Sequence, residues 1–226
     1  MSATIHDRIG TGLYTIAEAA LYARVSERKL CRWLFGSTEG RAVFQPQFGS
    51  QEKLISFLDL VQSLAIREIR LMHKVELPKF RQAIKKAKGT YQVDYPFARE
   101  HFTYLLGKVL VIKLGEGKYV EVSGKHSGQP LITGIVETYL QDLTFSGSGL
   151  ADSYKIFTSP DQVEIIMNPD RRFGEPLLPS GYSAKCIWDA IKTEGGIENA
   201  ASAYGISEEE SMAAYKLFDH LGAGIA

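Results

Sequence analysis

The sequence predicts a mainly α-helical protein with small β elements, an α+β fold. Residues 14–34 have the pattern of two short helices joined by a tight turn. Residues 101–126 change from helical periodicity to short β-prone runs, and residues 183–221 return to helical segments with capping signals. We therefore expect three units in one chain. The predicted units comprise residues 1–90, 91–150 and 151–226.

The first helix pair is marked by residues that start helices. Thr15 and Glu18 form a capping box, in which each side chain satisfies a free backbone N–H at the first helix. Ser26 is placed to cap the second helix. Small alanines in the first helix allow the second to approach closely. The second helix has an apolar inner face made of Leu30, Trp33 and Leu34.

The outer face of the second helix is cationic. Arg28, Lys29 and Arg32 are three and four residues apart and therefore share one side. A short helix with an apolar inner face and outward cations is typical of a reader of the DNA major groove. A merely solvated face is the alternative that the residues leave open.

The segment after this helix has room for a small hairpin. Gly36–Gly40 is rich in turn formers, and Arg41–Phe48 is β-prone and contains a proline. With its Tyr-Thr-Ile followed by Glu-Ala-Ala, the region resembles the MerR-type winged helix-turn-helix. The resemblance implies that the second helix lies in the groove and the wing at flanking phosphates. The predicted DNA-binding residues are Ser26, Arg28, Lys29, Arg32, Arg41 and Gln45.

A long helix is predicted from Gln51 to about Lys74, with Ser50 as its cap. It carries two apolar stripes, which is more than one face on one core requires. We expect one stripe to pack on the helix-turn-helix and the other on a second copy of the protein, since symmetric dimers read two half-sites. A helix buried inside one chain is the alternative. The predicted dimerisation residues are Phe57, Leu60, Leu64 and Leu71.

The middle region is predicted to be mixed. Val109–Leu114 and Lys118–Val122 form a hairpin around a glycine-bearing turn. Ile132–Leu143 is predicted to be helical, and Phe145–Ala151 to be a flexible linker. Two further β segments are expected before residue 168.

The last unit also has helix-turn-helix proportions. Helices are predicted after Ser183, over Ile197–Tyr204, and after a capping box of Ser207 and Glu210. The last helix opens with three consecutive glutamates, which DNA phosphates would repel. The sequence therefore favours a protein-binding module over a second DNA reader here.

Two motifs in this unit, Asn168–Leu178 and Ala200–Ser207, together resemble a small bacterial family of unknown biochemistry. The resemblance implies a β-hairpin carrying Pro, Gly and Pro, followed by a homeodomain-like trihelical domain. Members act as antitoxins beside toxins with a PIN-like nuclease domain. With the MerR-like N-terminus, the chain resembles the long VapB-type antitoxins. Pro179–Tyr182 departs from the family's usual Gly-Thr-Arg, so no role of that arginine is carried over.

Charge is divided unevenly along the chain, although the formal net charge is zero. Residues 1–100 carry a net +6 and residues 101–226 a net −6. A basic first half suits a polyanion such as DNA, and an acidic second half suits a basic protein.

Several classes of function find no support in the sequence. The two cysteines, Cys31 and Cys186, have no zinc-site spacing, and no motif indicates a cofactor. The apolar stretch Leu54–Met72 is interrupted by charged residues, which argues against a membrane span. No signal peptide is recognised, so we expect a cytoplasmic protein. The histidines show no triad pattern, and they are His6, His73, His101, His126 and His220.

We therefore expect a dimeric antitoxin that is not an enzyme. It would repress its own operon by binding operator DNA, and it would neutralise a PIN-like ribonuclease toxin. One alternative is a ligand-sensing MerR-like regulator whose middle region binds an effector. The other is an enzyme with an accessory helix-turn-helix.

Overall fold

The structure is a computed structural model of the 226-residue chain. It describes residues 10–38, 40–100, 103–106, 109–113, 119–123, 130–131 and 142–223. Helices are combined with small antiparallel sheets, so the predicted α+β class is confirmed. Among the described residues, no helix combines the length and apolar character that crossing a membrane requires.

The N-terminal helix pair forms as predicted, with α1 at Ile16–Tyr22 and α2 at Glu27–Phe35. The capping box is present, because the Glu18 backbone N–H donates to Thr15 Oγ1 at 3.2 Å and the Thr15 N–H donates to Glu18 Oε2 at 2.8 Å. Ser26 caps α2. The inner face of α2 is buried as expected, through Leu30, Trp33 and Leu34.

The predicted hairpin over Arg41–Phe48 is wrong, since this segment contains no strand. Its apolar side chains, Val43 and Phe44, are buried in the core instead, and the Val43 N–H donates to the Trp33 carbonyl at 2.6 Å. The two-stranded sheet beside the helix pair is built from β1 (Tyr14–Thr15) and β2 (Leu54–Ile55).

The long helix starts later than predicted. A short helix, α3 (Gly49–Glu52), ends at Lys53, whose φ of 51° stops it. After β2, α4 runs over Phe57–His73, and its capping box is formed by Ser56 and Asp59. Ser50 is therefore not the cap of the long helix.

The predicted dimerisation stripe is also wrong for three of its four members. Phe57, Leu60 and Leu64 are buried inside this chain, with 1%, 0% and 6% of their surface exposed. They pack in the chain's own core and have no surface left for a second copy. Only Leu71, at 59%, is exposed. The alternative prediction, a helix buried inside one chain, therefore describes most of α4.

Helix α5 (Leu77–Tyr91) follows and contacts the middle sheet. That sheet has the order β3-β4-β5-β6, all antiparallel. The predicted hairpin is confirmed by the pairing of β4 with β5, and residues 114–118 between them lie outside the described residues. Most of the predicted helix at 132–143 also lies outside them. The strands are β3 (Thr103–Leu106), β4 (Val109–Lys113), β5 (Tyr119–Glu121) and β6 (Pro130–Leu131).

A second sheet has the order β10-β9-β8-β7. The predicted flexible linker is wrong, because Phe145 and Ala151 are paired across a hairpin whose turn is closed by Ser146 N–H donating to the Leu150 carbonyl at 2.9 Å. Leu143, predicted to be helical, is a strand residue. The strands are β7 (Leu143–Phe145), β8 (Ala151–Thr158), β9 (Glu164–Met167) and β10 (Pro176–Leu177).

The three C-terminal helices confirm the prediction. They pack around a small core of mainly alanine and leucine side chains, with Ile187 and Leu217 fully buried. The helices are α6 (Ala184–Thr193), α7 (Ile197–Tyr204) and α8 (Glu208–Ala223).

The C-terminal unit is joined to the helix-turn-helix by direct contacts. The Tyr14 hydroxyl donates to the Gly174 carbonyl at 2.8 Å in a buried position. Gly174 has a φ of 88°, and a Cβ there would collide with the tyrosine hydroxyl, so glycine is required. The Leu13 N–H donates to the Phe173 carbonyl at 2.9 Å. Core residues of both units belong to one continuous cluster.

Candidate nucleic-acid interface

The outward face of α2 is an exposed cationic surface. Arg28, Lys29 and Arg32 are all exposed. Within the part of the chain that the structure describes, none of the three forms an ion pair. Unpaired cations on a helix are available to an external anion without first breaking an internal pair.

Ser26 lies at the N-terminal end of this face. Its hydroxyl accepts the Lys29 backbone N–H at 3.4 Å, which fixes the start of α2. The Ser26 side chain is exposed, so the residue that caps the helix is also accessible on the face predicted to contact the DNA groove.

Arg41 and Gln45 lie in the irregular segment after α2 and not on a β wing. Both are exposed. The segment is held in place by Arg81, whose guanidinium donates through Nε to the Ala42 carbonyl at 3.0 Å and to the Arg41 carbonyl at 3.1 Å. The loop therefore keeps a fixed position beside the helix although it has no strand.

A buried carboxylate fixes the other end of this loop. Asp59 Oδ2 accepts the backbone N–H groups of Gln47, at 3.0 Å, and Ser56, at 3.2 Å, together with the Ser56 hydroxyl at 2.9 Å. Burial raises the pKa of Asp59, and these hydrogen bonds oppose that shift. Asp59 is a structural residue that ties α4 to the loop after α2.

Sequence reasoning missed a basic pocket on the side of α2 that faces α4. It has a volume of about 270 Å³ and is lined by four cationic side chains. The spacing of Arg67 and Arg70 places both on one side of α4, which the sequence could have indicated. Their proximity to α2 depends on tertiary packing and could not be predicted. The four cations are Arg24, Lys29, Arg67 and Arg70.

A second cavity, of about 230 Å³, lies between the loop after α2 and the end of α5. Gln45 and Gln62 line it, and Gln62 Oε1 is buried with no hydrogen-bond partner among the described residues. Tyr95, also in the lining, has a φ of 54°. Left-handed backbone is uncommon for a bulky residue.

No group of three or more histidine, cysteine or acidic residues in the described ranges has a metal-binding arrangement. Three of the five histidines lie outside those ranges. Of the others, His220 accepts a hydrogen bond from Arg24 at 2.8 Å, which requires a neutral ring. Burial, Arg24 and Arg67 together lower the pKa of His220.

The C-terminal unit presents a different surface. Glu208 and Glu209 are exposed at the start of α8, where the Glu210 N–H donates to the Ser207 hydroxyl at 3.2 Å. Two aromatic side chains are also exposed, Phe173 at 57% and Tyr215 at 44%. Exposed aromatic side chains of this kind are enriched in protein interfaces.

Comparison with known proteins gives one informative likeness. No protein-family model matches the chain, and no curated protein matches it. Among solved structures, the crystal structure of Rv2018 from Mycobacterium tuberculosis is similar, with a TM-score of 0.57 and 19% sequence identity. The match covers 92% of this chain and 99% of that one. At this identity the likeness concerns the fold, which extends over nearly the whole of both chains.

Proposed function

We propose that this protein is a DNA-binding antitoxin of a type II toxin–antitoxin module, which represses its own operon and neutralises a PIN-like ribonuclease. It acts by binding alone, in the cytoplasm and as a dimer on a palindromic operator. The observation that carries the DNA-binding part is the outer face of α2, where three exposed cations form no ion pair with any residue that the structure describes.

The geometry of α2 supports groove reading. The helix has nine residues and stands on a buried apolar face, so it is a rigid platform. Arg28 and Arg32 project from successive turns on the same side. Arginine can donate two parallel hydrogen bonds to guanine, which is the commonest specific contact in the major groove.

The toxin-binding part is supported by the C-terminal unit. Its trihelical form agrees with the form that the resemblance implies. The exposed Glu208 and Glu209 suit a basic protein surface better than DNA, and the exposed Phe173 and Tyr215 can add apolar contacts to a protein partner. The dimer contact would lie outside Phe57, Leu60 and Leu64, since these are internal.

The DNA-binding part is tested by titrating the full-length protein against duplex DNA from its own promoter, with fluorescence anisotropy as readout. Arg28→Ala and Arg32→Ala should each weaken specific binding by about 1–3 kcal/mol. Lys185→Ala, on α6, removes one positive charge outside the interface and should leave the affinity unchanged. Equal affinities for all four proteins would refute the role of α2.

The toxin-binding part predicts a neighbouring gene for a PIN-like protein, and co-expression with that protein tests it. Co-purification and loss of ribonuclease activity are expected. Phe173→Ser and Tyr215→Ser should reduce retention of the toxin, while Arg28→Ala should not. A co-expressed ribonuclease that stays active and elutes separately would contradict the antitoxin function.

The second cavity favours one alternative, a ligand-sensing regulator. Gln62 Oε1, which has no hydrogen-bond partner among the described residues, could accept a donor group of a small molecule. A compound that stabilises the wild type but not Gln62→Leu, and that changes operator affinity, would support this function instead.

A further inference from the structure

The basic pocket beside α2 is built from three separate parts of the chain. Arg24 comes from the turn between α1 and α2, Lys29 from α2, and Arg67 and Arg70 from α4. The apolar part of the wall includes Leu71. Among the described residues that line the pocket, none is a carboxylate. Four positively charged side chains therefore line one pocket, whose volume is about 270 Å³.

The charge in this pocket is only partly neutralised within the described chain. The Arg67 side chain is 19% exposed, and its carboxylate partner is the neighbouring Glu68 at 3.2 Å, itself 37% exposed. Burial lowers the pKa of Arg67, and the positive charge of Arg24 lowers it further. Bringing cations together out of water is unfavourable unless an anion compensates them.

Arg24 contributes a hydrogen-bond donor, its Nε, to this pocket. Its Nη1 donates to the neutral ring of His220 at 2.8 Å, so this contact brings no negative charge. Its Nε is buried and has no hydrogen-bond partner among the described residues. Buried donors are normally paired, and an unpaired one indicates a missing acceptor.

The fold holds these side chains in place before any ligand arrives. Arg24 has a φ of 50°, a left-handed conformation that costs free energy for any residue except glycine. Arg70 Nη1 donates to the Val75 carbonyl at 3.1 Å, which anchors the guanidinium at the end of α4. A strained turn and an anchored arginine are typical of a preorganised site.

We propose that this pocket is a phosphate-binding site. Planar guanidinium groups match the oxygens of a phosphate, and several together bind it more strongly than single lysines do. Lys29 lies in the pocket and also on the outward face of α2, so a backbone phosphate beside the groove is one source. A free phosphorylated molecule is the other. The DNA source rests on the proposed function, whereas the site itself does not.

The first experiment uses inorganic phosphate as the probe and the full-length protein without DNA. Thermal melting is followed with phosphate or chloride at equal ionic strength. Phosphate should raise the Tm of the wild type saturably, and chloride should not. Arg67→Gln should weaken the apparent phosphate affinity about tenfold, the factor expected for one lost charged hydrogen bond.

Controls separate binding from folding. Arg67→Gln should be at least as stable as the wild type in phosphate-free buffer, because a mutually repelling charge is removed. Lys29→Gln, an exposed substitution, should weaken phosphate binding in the same way and serves if Arg67→Gln does not fold. Lys185→Gln should respond to phosphate as the wild type does.

The second experiment titrates promoter DNA at several salt concentrations. If the bound phosphate belongs to DNA, Arg67→Gln should weaken binding equally for specific and unrelated sequences and reduce the salt slope by about one. If only free phosphate binds, the slope should stay unchanged and the site takes a phosphorylated small molecule. A wild type that binds phosphate but no DNA would refute the proposed function alone. The phosphate site would be overturned if phosphate did not raise the Tm of the wild type and Arg67→Gln did not change the salt slope of DNA binding. A normal phosphate response in both Arg67→Gln and Lys29→Gln would also overturn it.

Discussion

The helix pairs α1–α2 and α7–α8 share a backbone design and differ in surface chemistry. Each second helix begins after a serine cap, Ser26 in one and Ser207 in the other. The first turn of α2 continues with Arg28 and Lys29, whereas α8 opens with three glutamates. Helix-turn-helix proportions alone therefore do not indicate a DNA reader. The charge on the outward face determines which partner each pair can accept.

A buried carboxylate of α4 also holds the segment that follows the first pair. The loop after α2 is tied to α4 by Asp59, which accepts three hydrogen bonds in a buried place. Asp59→Ala should therefore reduce the free energy of unfolding by about 3 kcal/mol, because a cap is lost and buried N–H groups become unpaired. Urea unfolding measures this. Asp59→Asn keeps an acceptor oxygen and should cost less than about 1 kcal/mol. Equal losses in both variants would contradict the assigned role.

The serine caps provide a matched pair for the comparison itself. Ser26→Ala and Ser207→Ala should each reduce the free energy of unfolding by about 1 kcal/mol, the usual contribution of an N-cap. Only Ser26→Ala should also weaken operator binding, since it starts the helix that carries the cations. An operator affinity that falls equally in both variants would show that the two helices are not functionally distinct.

The smallest expected effect concerns His220, which links α8 to the turn of the first pair. Its pKa is lowered by burial, Arg24 and Arg67, so the folded state binds a proton less readily than the unfolded chain. Stability should be fully present above about pH 6.5, the ordinary histidine value, and decline as the pH falls toward the folded pKa. His220→Gln should lessen this decline in thermal melts, whereas His73→Gln should retain it. If His220→Gln lost stability with falling pH as steeply as the wild type, the role assigned to the contact between His220 and Arg24 would be contradicted.

Local signals in the sequence predicted the helix pairs well. The capping box of Thr15 and Glu18 and the caps Ser26 and Ser207 involve residues a few positions apart, so their geometry follows from the sequence. The two β-prone runs at 109–114 and 118–122, joined by a glycine-bearing turn, predicted a hairpin for the same reason.

Features that depend on tertiary packing could not be predicted in this way. Val43 and Phe44 are residue types that favour β-strands. Their side chains are buried in the core, and no wing strand forms there. The helix predicted to begin after Ser50 is interrupted at Lys53, whose left-handed backbone leads into β2, and α4 is capped by Ser56 instead. The apolar stripe on α4 is covered by the chain itself. The basic pocket joins Arg24 to Arg67, which no local pattern connects.

The measurement that most directly tests the central claim is an operator titration of two charge-reversed proteins. Arg28→Glu with Arg32→Glu reverses the face of α2, and Glu208→Lys with Glu209→Lys reverses the opening of α8. We expect the first protein to lose specific binding and the second to bind as tightly as the wild type or more tightly. Specific binding that survives reversal of α2, or that is lost on reversal of α8, would contradict it.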